Sequence, residues 1–298
     1  MSKEKLLIGS HVSMKSPDFL LGSLKEALSY KANAFMIYTG APQTTLRTDL
    51  SKLKIPEFKK ALATSGIDIN NVVVHAPYIV NLANADERKR SFAINFITKE
   101  LKRTDAIGSS IFVLHQGSAI GVSRQQGLDR IADAVNVIYA KNKINAVLCF
   151  ETMSGKGNEL GITIDEIAYM INKIKDKSHI GVCVDTCHIS DAGYDDTHFN
   201  EYLKEFDNKI GIKYIKVMHI NDSMNPKGSH KDRHENIGYG KIGFKTLYDI
   251  VHNPKLDYIP KILETPWYKD HPLYAYEIES LRTGKWIDAE KIIDKKVK

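Results

Sequence analysis

The sequence predicts an α/β fold in one domain, a closed (β/α)8 barrel over residues 1–298 with its chemistry at the carboxyl-end rim of the strands. Three observations predict it. Short apolar, β-rich runs alternate along the chain with segments of helical spacing, the pattern of a parallel sheet covered by helices. There are eight such runs, more than the roughly five to seven of an open doubly wound sheet. Six of the eight end on a histidine or a carboxylate, and barrels carry their active sites where those strands end. The length suits one such barrel, which needs about 250 residues.

In chain order, the first runs are Leu6–Ser10, leading into His11, and Ala34–Tyr38, followed by the loop TGAPQTTLR. Val72–Val74 ends at His75, Ile111–Leu114 at His115, and Val147–Phe150 at Glu151. Ile180–Val184 ends at Asp185, Tyr214–Met218 at His219, and Ile262–Leu263 at Glu264. Between them, Leu21–Tyr30, Phe92–Ala106, Gly127–Lys141, Ile164–Lys175 and Phe244–Val251 repeat apolar residues at helical spacing. The tail, Ile287–Lys298, is charged and amphipathic and reads as a solvated helix or a frayed end. The glycines of Gly155–Gly161 (GKGNELG) fit neither a dinucleotide fingerprint nor a P-loop.

The spacing of the polar strand ends carries the functional argument. From His75 to His115 is 40 residues, then 36 to Glu151, 34 to Asp185, 34 to His219 and 45 to Glu264. Each interval is about one βα unit, so all six residues fall on one rim. The loop after His219 adds Asp232 and His234, two apart and hence on the same side of an extended segment. His188 follows Asp185 by three. The set is nine residues, five imidazoles and four carboxylates, more than one ion needs at three or four protein ligands per ion. Imidazole and carboxylate without thiolate suit zinc or manganese in a catalytic site. His11 is kept as a group behind the ligands. The remaining histidines read as surface residues.

Composition bounds the rest. Charged residues make up 26% and hydrophobic residues 43%, the balance of a soluble chain with ample core. Lys and Arg number 42 against 36 Asp and Glu, a net +6 that permits a polyanionic partner without requiring one. Three cysteines, Cys149, Cys183 and Cys187, are too few for a disulfide framework and read as core thiols in a reducing compartment. The start, MSKEKLLIGS, has too short an apolar run for a signal peptide. No stretch approaches the roughly 20 apolar residues of a membrane span. A cytoplasmic monomer without a membrane or an obligate protein partner is expected.

Several divalent ions at one rim call for negative charge beyond four carboxylates, and a substrate phosphate supplies it; phosphodiester hydrolysis is the matching chemistry. Lys156, Lys227, Lys231 and Arg233 lie near the same rim, suited to flanking backbone phosphates. Tyr78 and Ile79, just after His75, and the loop Gly40–Arg47 could present a wedge to a duplex.

Eight segments then resemble one family. They are HVS (His11–Ser13), YTGAPQ (Tyr38–Gln43), HAPYIVNLAN (His75–Asn84), HQGS (His115–Ser118) and ETMSGKGNELG (Glu151–Gly161). The others are VCVDTCHISDAGYD (Val182–Asp195), HINDSMNPKGSHKDRHENIGYGKIG (His219–Gly243) and ILETP (Ile262–Pro266). With them the chain resembles endonuclease IV, the metal-dependent apurinic/apyrimidinic (AP) endonucleases of base excision repair, on a xylose isomerase-like TIM barrel.

The resemblance implies three zinc ions, with manganese an option at one or more sites. One ion would be held by His75, His115 and Glu151, a second by Glu151, Asp185, His219 and Glu264, and the third by His188, Asp232 and His234. It implies cleavage of the phosphodiester 5′ to an abasic site in duplex DNA, leaving a 3′-hydroxyl and a 5′-deoxyribose phosphate, and trimming of 3′ ends. Glu264 and Glu151 would be the catalytic carboxylates, Glu264 orienting the attacking hydroxide. Tyr78 and Ile79 match the minor-groove wedge; Gln43 and Thr44, with Arg47 close by, align with the inserting loop, and Lys231 and Arg233 would meet DNA. Gln116 stands where members often carry proline, and Lys15-Ser16-Pro17 replaces a Gly-containing turn.

Two other readings use the same residues. A sugar isomerase on a similar barrel needs only two ions, which leaves Asp232 and His234 without a task. A damage-binding module would use the metals as structural ties and would not cut.

Overall fold

The computed structural model describes residues 6–297; Met1–Lys5, part of the stretch read against a signal peptide, and Lys298 of the tail lie outside the described residues. The fold is a closed barrel of eight parallel strands. They are β1 (Ile8–His11), β2 (Ala34–Tyr38), β3 (Val72–His75), β4 (Ile111–Leu114), β5 (Val147–Glu151), β6 (Ile180–Asp185), β7 (Ile215–His219) and, after a small antiparallel pair β8 (Asp222–Ser223) and β9 (His234–Glu235), β10 (Lys261–Leu263). Each strand pairs with the next in order, and β10 closes the ring between β7 and β1. This is the (β/α)8, or TIM, barrel that the alternation predicts.

Val, Ile and Phe at consecutive strand positions are buried on both faces, one toward the helices and one toward the barrel axis, as parallel strands require. Gly9 admits β2 closely: a Cβ there would sit 1.6 Å from the Ala34 carbonyl oxygen. Around the strands run α1 (Phe19–Ser29), α2 (Ile55–Ser65), α3 (Glu87–Ile107), α4 (Arg124–Ala140), α5 (Ile164–Lys173), α6 (Thr186–Asp191), α7 (Phe199–Lys209), α8 (Phe244–Val251), α9 (Tyr274–Thr283) and α10 (Ala289–Lys296).

The helices show where local signals mislead. α3 starts at Glu87, ahead of the expected Phe92, because the Asp86 carboxylate accepts the amides of Arg88 and Lys89 and caps a polar first turn. α2 is missed by the spacing argument: its proline sits in the first turn, where the ring is tolerated. α7 and α9 are missed as well, each burying a narrow stripe, Phe199, Tyr202, Leu203 and Phe206 in the first. The tail does form a helix, α10, and it is docked by buried Ala289 and Ile293. All three cysteines are buried and free. Among the described residues, no helix is long and apolar enough to cross a membrane.

One buried charge stands at the foot of β10. Lys261 is fully buried and donates to the Leu256 carbonyl at 2.5 Å. Burial pushes its pKa down to about 8 from 10.5. Below pH 8 folding takes a charge out of water that the unfolded chain keeps solvated. Between pH 8 and 10.5 the unfolded chain binds the extra proton, so this cost fades as pH rises. Lys261→Met is therefore expected to be more stable than the parent at pH 7, by about 1–3 kcal/mol, with the gap closing toward pH 10.5 in urea denaturation. A gap independent of pH would contradict the assignment.

Candidate metal centre

The alternation of side chains along a strand builds the site. Met36, Val73, Val113, Cys149, Cys183, Val217 and Ile262, one from each of seven strands, belong to an apolar cluster separate from the strand–helix core. Two residues further along the same strands stand Tyr38, His75, His115, Glu151, Asp185, His219 and Glu264. The polar rim is thus the next layer above an apolar plug. Five of its members are the last residue of their strand (β2, β3, β5, β6 and β7), held by ladder hydrogen bonds.

The fold brings all nine candidate residues together, with Glu151 at the hub. Glu151 Oε2 lies 3.0 Å from both His75 Nε2 and His115 Nε2. Its Oε1 lies 2.9 Å from His219 Nδ1 and 3.4 Å from His188 Nδ1. His219 Nδ1 is also 2.9 Å from Glu264 Oε2 and 3.8 Å from Asp185 Oδ2. On the far side, Asp232 Oδ1 is 3.0 Å from His188 Nε2 and 3.7 Å from His234 Nε2, which is 3.8 Å from Asp185 Oδ2.

Among the described residues, five groups have their donor atoms within 4.8 Å of one another, and three of them bear on the expected ligand sets: His75, His115 and Glu151; Glu151, Asp185, His219 and Glu264; and Asp185, His188 and His234. The first two are the sets expected from the sequence. The third brings in Asp185 beside the two histidines, with Asp232 adjoining through its contacts to both. Cys183 Sγ stands in reach of Glu151 and His219; burial pushes that thiol up to about 12, so it is neutral.

The donor set fits divalent cations. His75 Nδ1 donates to the Ala76 carbonyl at 2.6 Å, and His234 Nδ1 faces the Glu264 carbonyl at 3.3 Å. Both rings therefore turn Nε2 forward, as ligating histidines do. His234 Nε2 is buried without a hydrogen-bond partner. Separations of 3.7–3.8 Å around His234 Nε2 are too long for hydrogen bonds but near the roughly 3.4 Å between two ligands of one ion. Burial works against the Glu151 charge, yet His219 and His115 hold its carboxyl well below the usual range. Burial likewise opposes a charged His188, but Asp185, Asp232 and Glu151 raise its pKa well above normal. The carboxylates depend on positive charge, and the imidazoles are its only source within the cluster.

Accessibility separates the carboxylates. Glu151 and Asp185 side chains are sealed, whereas Glu264 is 15% and Asp232 25% exposed. Tyr78 and Ile79 stand half exposed on the loop after β3. Gln43, Thr44, Lys156, Lys231 and Arg233 are exposed on the rim loops. Lys227 is exposed but paired with Asp195 at 2.6 Å. Arg47 is not offered to a ligand: its buried guanidinium binds Glu100 at 2.9 Å and the Thr44 and Leu46 carbonyls, clamping the loop to α3. Leu46, at 80% exposure, is the apolar tip that this clamp leaves outward. His11 packs edge-on against Tyr38, and Tyr38 against His75. A cavity of about 490 Å³ adjoins them, lined also by Lys15, Gln43 and the exposed Trp267, a residue the sequence reading passed over.

Supporting groups were passed over too. Asn221 is fully buried; its Nδ2 donates to Asp185 Oδ2 at 2.7 Å and its Oδ1 accepts the Glu264 amide at 2.9 Å. Asp222 accepts the amides of Gly238, Gly240, Ile242 and Gly243, pinning the end of the β7 loop. A Cβ at Gly240 would meet Asp222 Oδ1 at 2.4 Å. Asn221 stands two positions past His219, on the same side of an extended chain, which was the available signal.

A family described as xylose isomerase-like TIM barrel matches residues 24–284. The chain is 50% identical over 294 residues to the probable endonuclease 4 of Ureaplasma urealyticum, covering 97% of each. The endonuclease IV crystal structure from Thermus thermophilus superposes with a TM-score of 0.79 at 27% identity, over 92% of this chain and 97% of that one. A D-tagatose 3-epimerase-like protein at 21% identity and a TM-score of 0.67, over 97% of this chain and all of that one, shares the fold.

Asn221→Leu keeps the volume but strands Asp185 Oδ2 and the Glu264 amide. It is expected to lower stability by about 1–3 kcal/mol, read by urea denaturation in chelator. Asn221→Asp, which places a like charge against Asp185, is expected to cost more; parental stability in both would mean these bonds contribute nothing.

Proposed function

The chain belongs to the endonuclease 4 family of xylose isomerase-like barrels, and from that premise we propose that it is a metal-dependent AP endonuclease of base excision repair. Its substrate is duplex DNA containing an abasic site. It hydrolyses the phosphodiester 5′ to the lesion, leaving a 3′-hydroxyl and a 5′-deoxyribose phosphate, and trims blocked 3′ ends by the same chemistry. The observation that carries this reading is the convergence of five imidazoles and three further carboxylates around Glu151, more ligands than a one- or two-ion site uses.

Three zinc ions, with manganese able to replace zinc, would be held by His75, His115 and Glu151; by Glu151, Asp185, His219 and Glu264; and by His188, Asp232 and His234. Ions so held acidify a water and neutralise charge on phosphoryl oxygens. The side chains divide the remaining work by exposure. Glu151, sealed, would help to hold two of these ions and does not touch substrate. Glu264, its Oε2 against His219 and its side chain 15% exposed, orients the attacking water in line with the scissile bond. Tyr78 and Ile79 enter the minor groove as a wedge that unstacks the lesion, and the abasic nucleotide turns out toward the centre. Gln43 and Thr44, on the clamped loop, lie against the duplex, while Lys156, Lys231 and Arg233 meet backbone phosphates. The protein would act as a monomer in the cytoplasm.

Incision of a duplex oligonucleotide with one abasic site, beside an undamaged control, tests the reading. Cleavage is expected only at the lesion and is abolished by chelation; cutting of both duplexes alike would sink it. Glu264→Gln is expected to fold as the parent does and to lose about 100-fold or more in kcat. Tyr78→Ala should instead weaken binding of the abasic duplex about tenfold with kcat less affected, measured by single-turnover kinetics; equal losses in both variants would erase the distinction between chemistry and wedge.

A further inference from the structure

Most of the cluster stands at strand ends, but Asp232 rides on the loop that joins β8 to β9, and His234 opens β9 just after it. Asp232 and its neighbour His230 have positive φ angles, 55° and 54°, a left-handed conformation that residues other than glycine adopt only when something compels it. One side chain supplies the compulsion. Asp191, the last residue of α6, is fully buried. Its Oδ2 accepts the amides of Lys231 at 3.1 Å and Asp232 at 2.7 Å. Its Oδ1 accepts the hydroxyls of Ser223 at 3.1 Å and Ser229 at 3.0 Å. The Asp191 carbonyl accepts the His230 amide at 3.2 Å, and His230 Nδ1 in turn donates to the Ser154 carbonyl at 2.8 Å.

The short helix α6 thus works at both ends. At its start the Asp185 carboxylate caps the His188 amide at 2.8 Å, tying two members of the centre together. At its end Asp191 grips the loop that brings a third, Asp232, to within 3.0 Å of His188 Nε2. Both Asp191 oxygens are committed to the loop, so the residue acts through Asp232 and is not itself a ligand.

We propose that Asp191 is a positioning residue for the metal subsite of His188, Asp232 and His234, holding the strained loop so that Asp232 faces the two imidazoles before any ion arrives. The proposal rests on the reading of the centre as polynuclear. Without the carboxylate the left-handed pair relaxes and that subsite loses one preset ligand, while the subsites built on β3, β4, β5, β7 and β10 keep theirs. The chemistry also says which substitution is tolerated. In Asp191→Asn the side-chain carbonyl oxygen can still serve the two amides, and the NH2 can donate to the two serine hydroxyls, which accept as well as donate. Alanine can do neither.

The test is zinc bound per chain at buffered free-zinc concentrations, with thermal unfolding in chelator as the measure of folding. Asp191→Ala is expected to hold one ion fewer than the parent at a concentration that saturates the parent, and to need about tenfold more free zinc to fill it. Asp191→Asn is expected to stay within about threefold of the parent, since it keeps the acceptor for both amides. In abasic-duplex incision, added zinc should restore Asp191→Ala with KM for DNA unchanged. Should that variant not fold, the double variant Ser223→Ala/Ser229→Ala, which strips Oδ1 and leaves Asp191 in place, is expected to weaken the same single ion about threefold. A fully loaded parent with an equally loaded Asp191→Ala, or with an unaffected double variant where that one does not fold, overturns the proposal alone. A parent that holds no more than one ion sinks the polynuclear reading with it, and a loaded parent that does not cut abasic DNA bears on the function and not on Asp191.

Discussion

The sealed carboxylate of Glu151 governs this structure. Taking such a group out of water is tolerated only where positive charge and hydrogen bonds replace the lost hydration. Four imidazoles do so here, two on each oxygen. They come from β3, the ends of β4 and β7, and α6, so the neutralisation of one charge draws in half the barrel. Pairing cannot finish the task. Three more carboxylates, Asp185, Asp232 and Glu264, share the same imidazoles, and the buried His234 Nε2 has no hydrogen-bond partner. A rim with these features is built for cations, and the protein spends stability to keep it so.

The barrel supplies rigidity and the loops supply reach. Residues at strand ends inherit their directions from the ladder and from the apolar plug beneath them. Residues on loops need separate anchors. Asn221 ties Asp185 to the backbone of Glu264; Asp191 and Asp222 pin the two ends of the β7 loop; the Arg47–Glu100 pair clamps the loop after β2. These anchors are buried polar groups whose value lies in orientation, which is why several are acidic side chains facing backbone amides.

The sequence reveals this centre because the barrel has a period that can be counted. A polar residue closing an apolar run every 34 to 45 positions has no place to go but one rim, so six candidate residues could be named from the period, and His188, Asp232 and His234 from their nearness to it in sequence, before their distances were known. The helices were less legible: Pro56 masked α2, and the polar first turn of α3 hid its true start. The anchors were barely legible: only Asn221, two positions past His219, carried a local signal. Asp191 and Asp232 are 41 positions apart, and Asn221 and Glu264 are 43 apart; nothing in local composition marks such hydrogen bonds. Arg47 misleads for the same reason, since its partner Glu100 lies 53 positions away. A residue's chemistry can be read from its type and spacing, but the direction of a loop side chain depends on what it meets across the fold.

The central claim is that Glu151 bridges ions in a polynuclear centre. Anomalous diffraction at the zinc edge, from crystals of protein purified without chelator, tests it most directly. Three peaks are expected inside the ring of nine residues, two of them flanking Glu151. A single peak, or peaks that leave Glu151 bonded to imidazoles alone, would contradict the account.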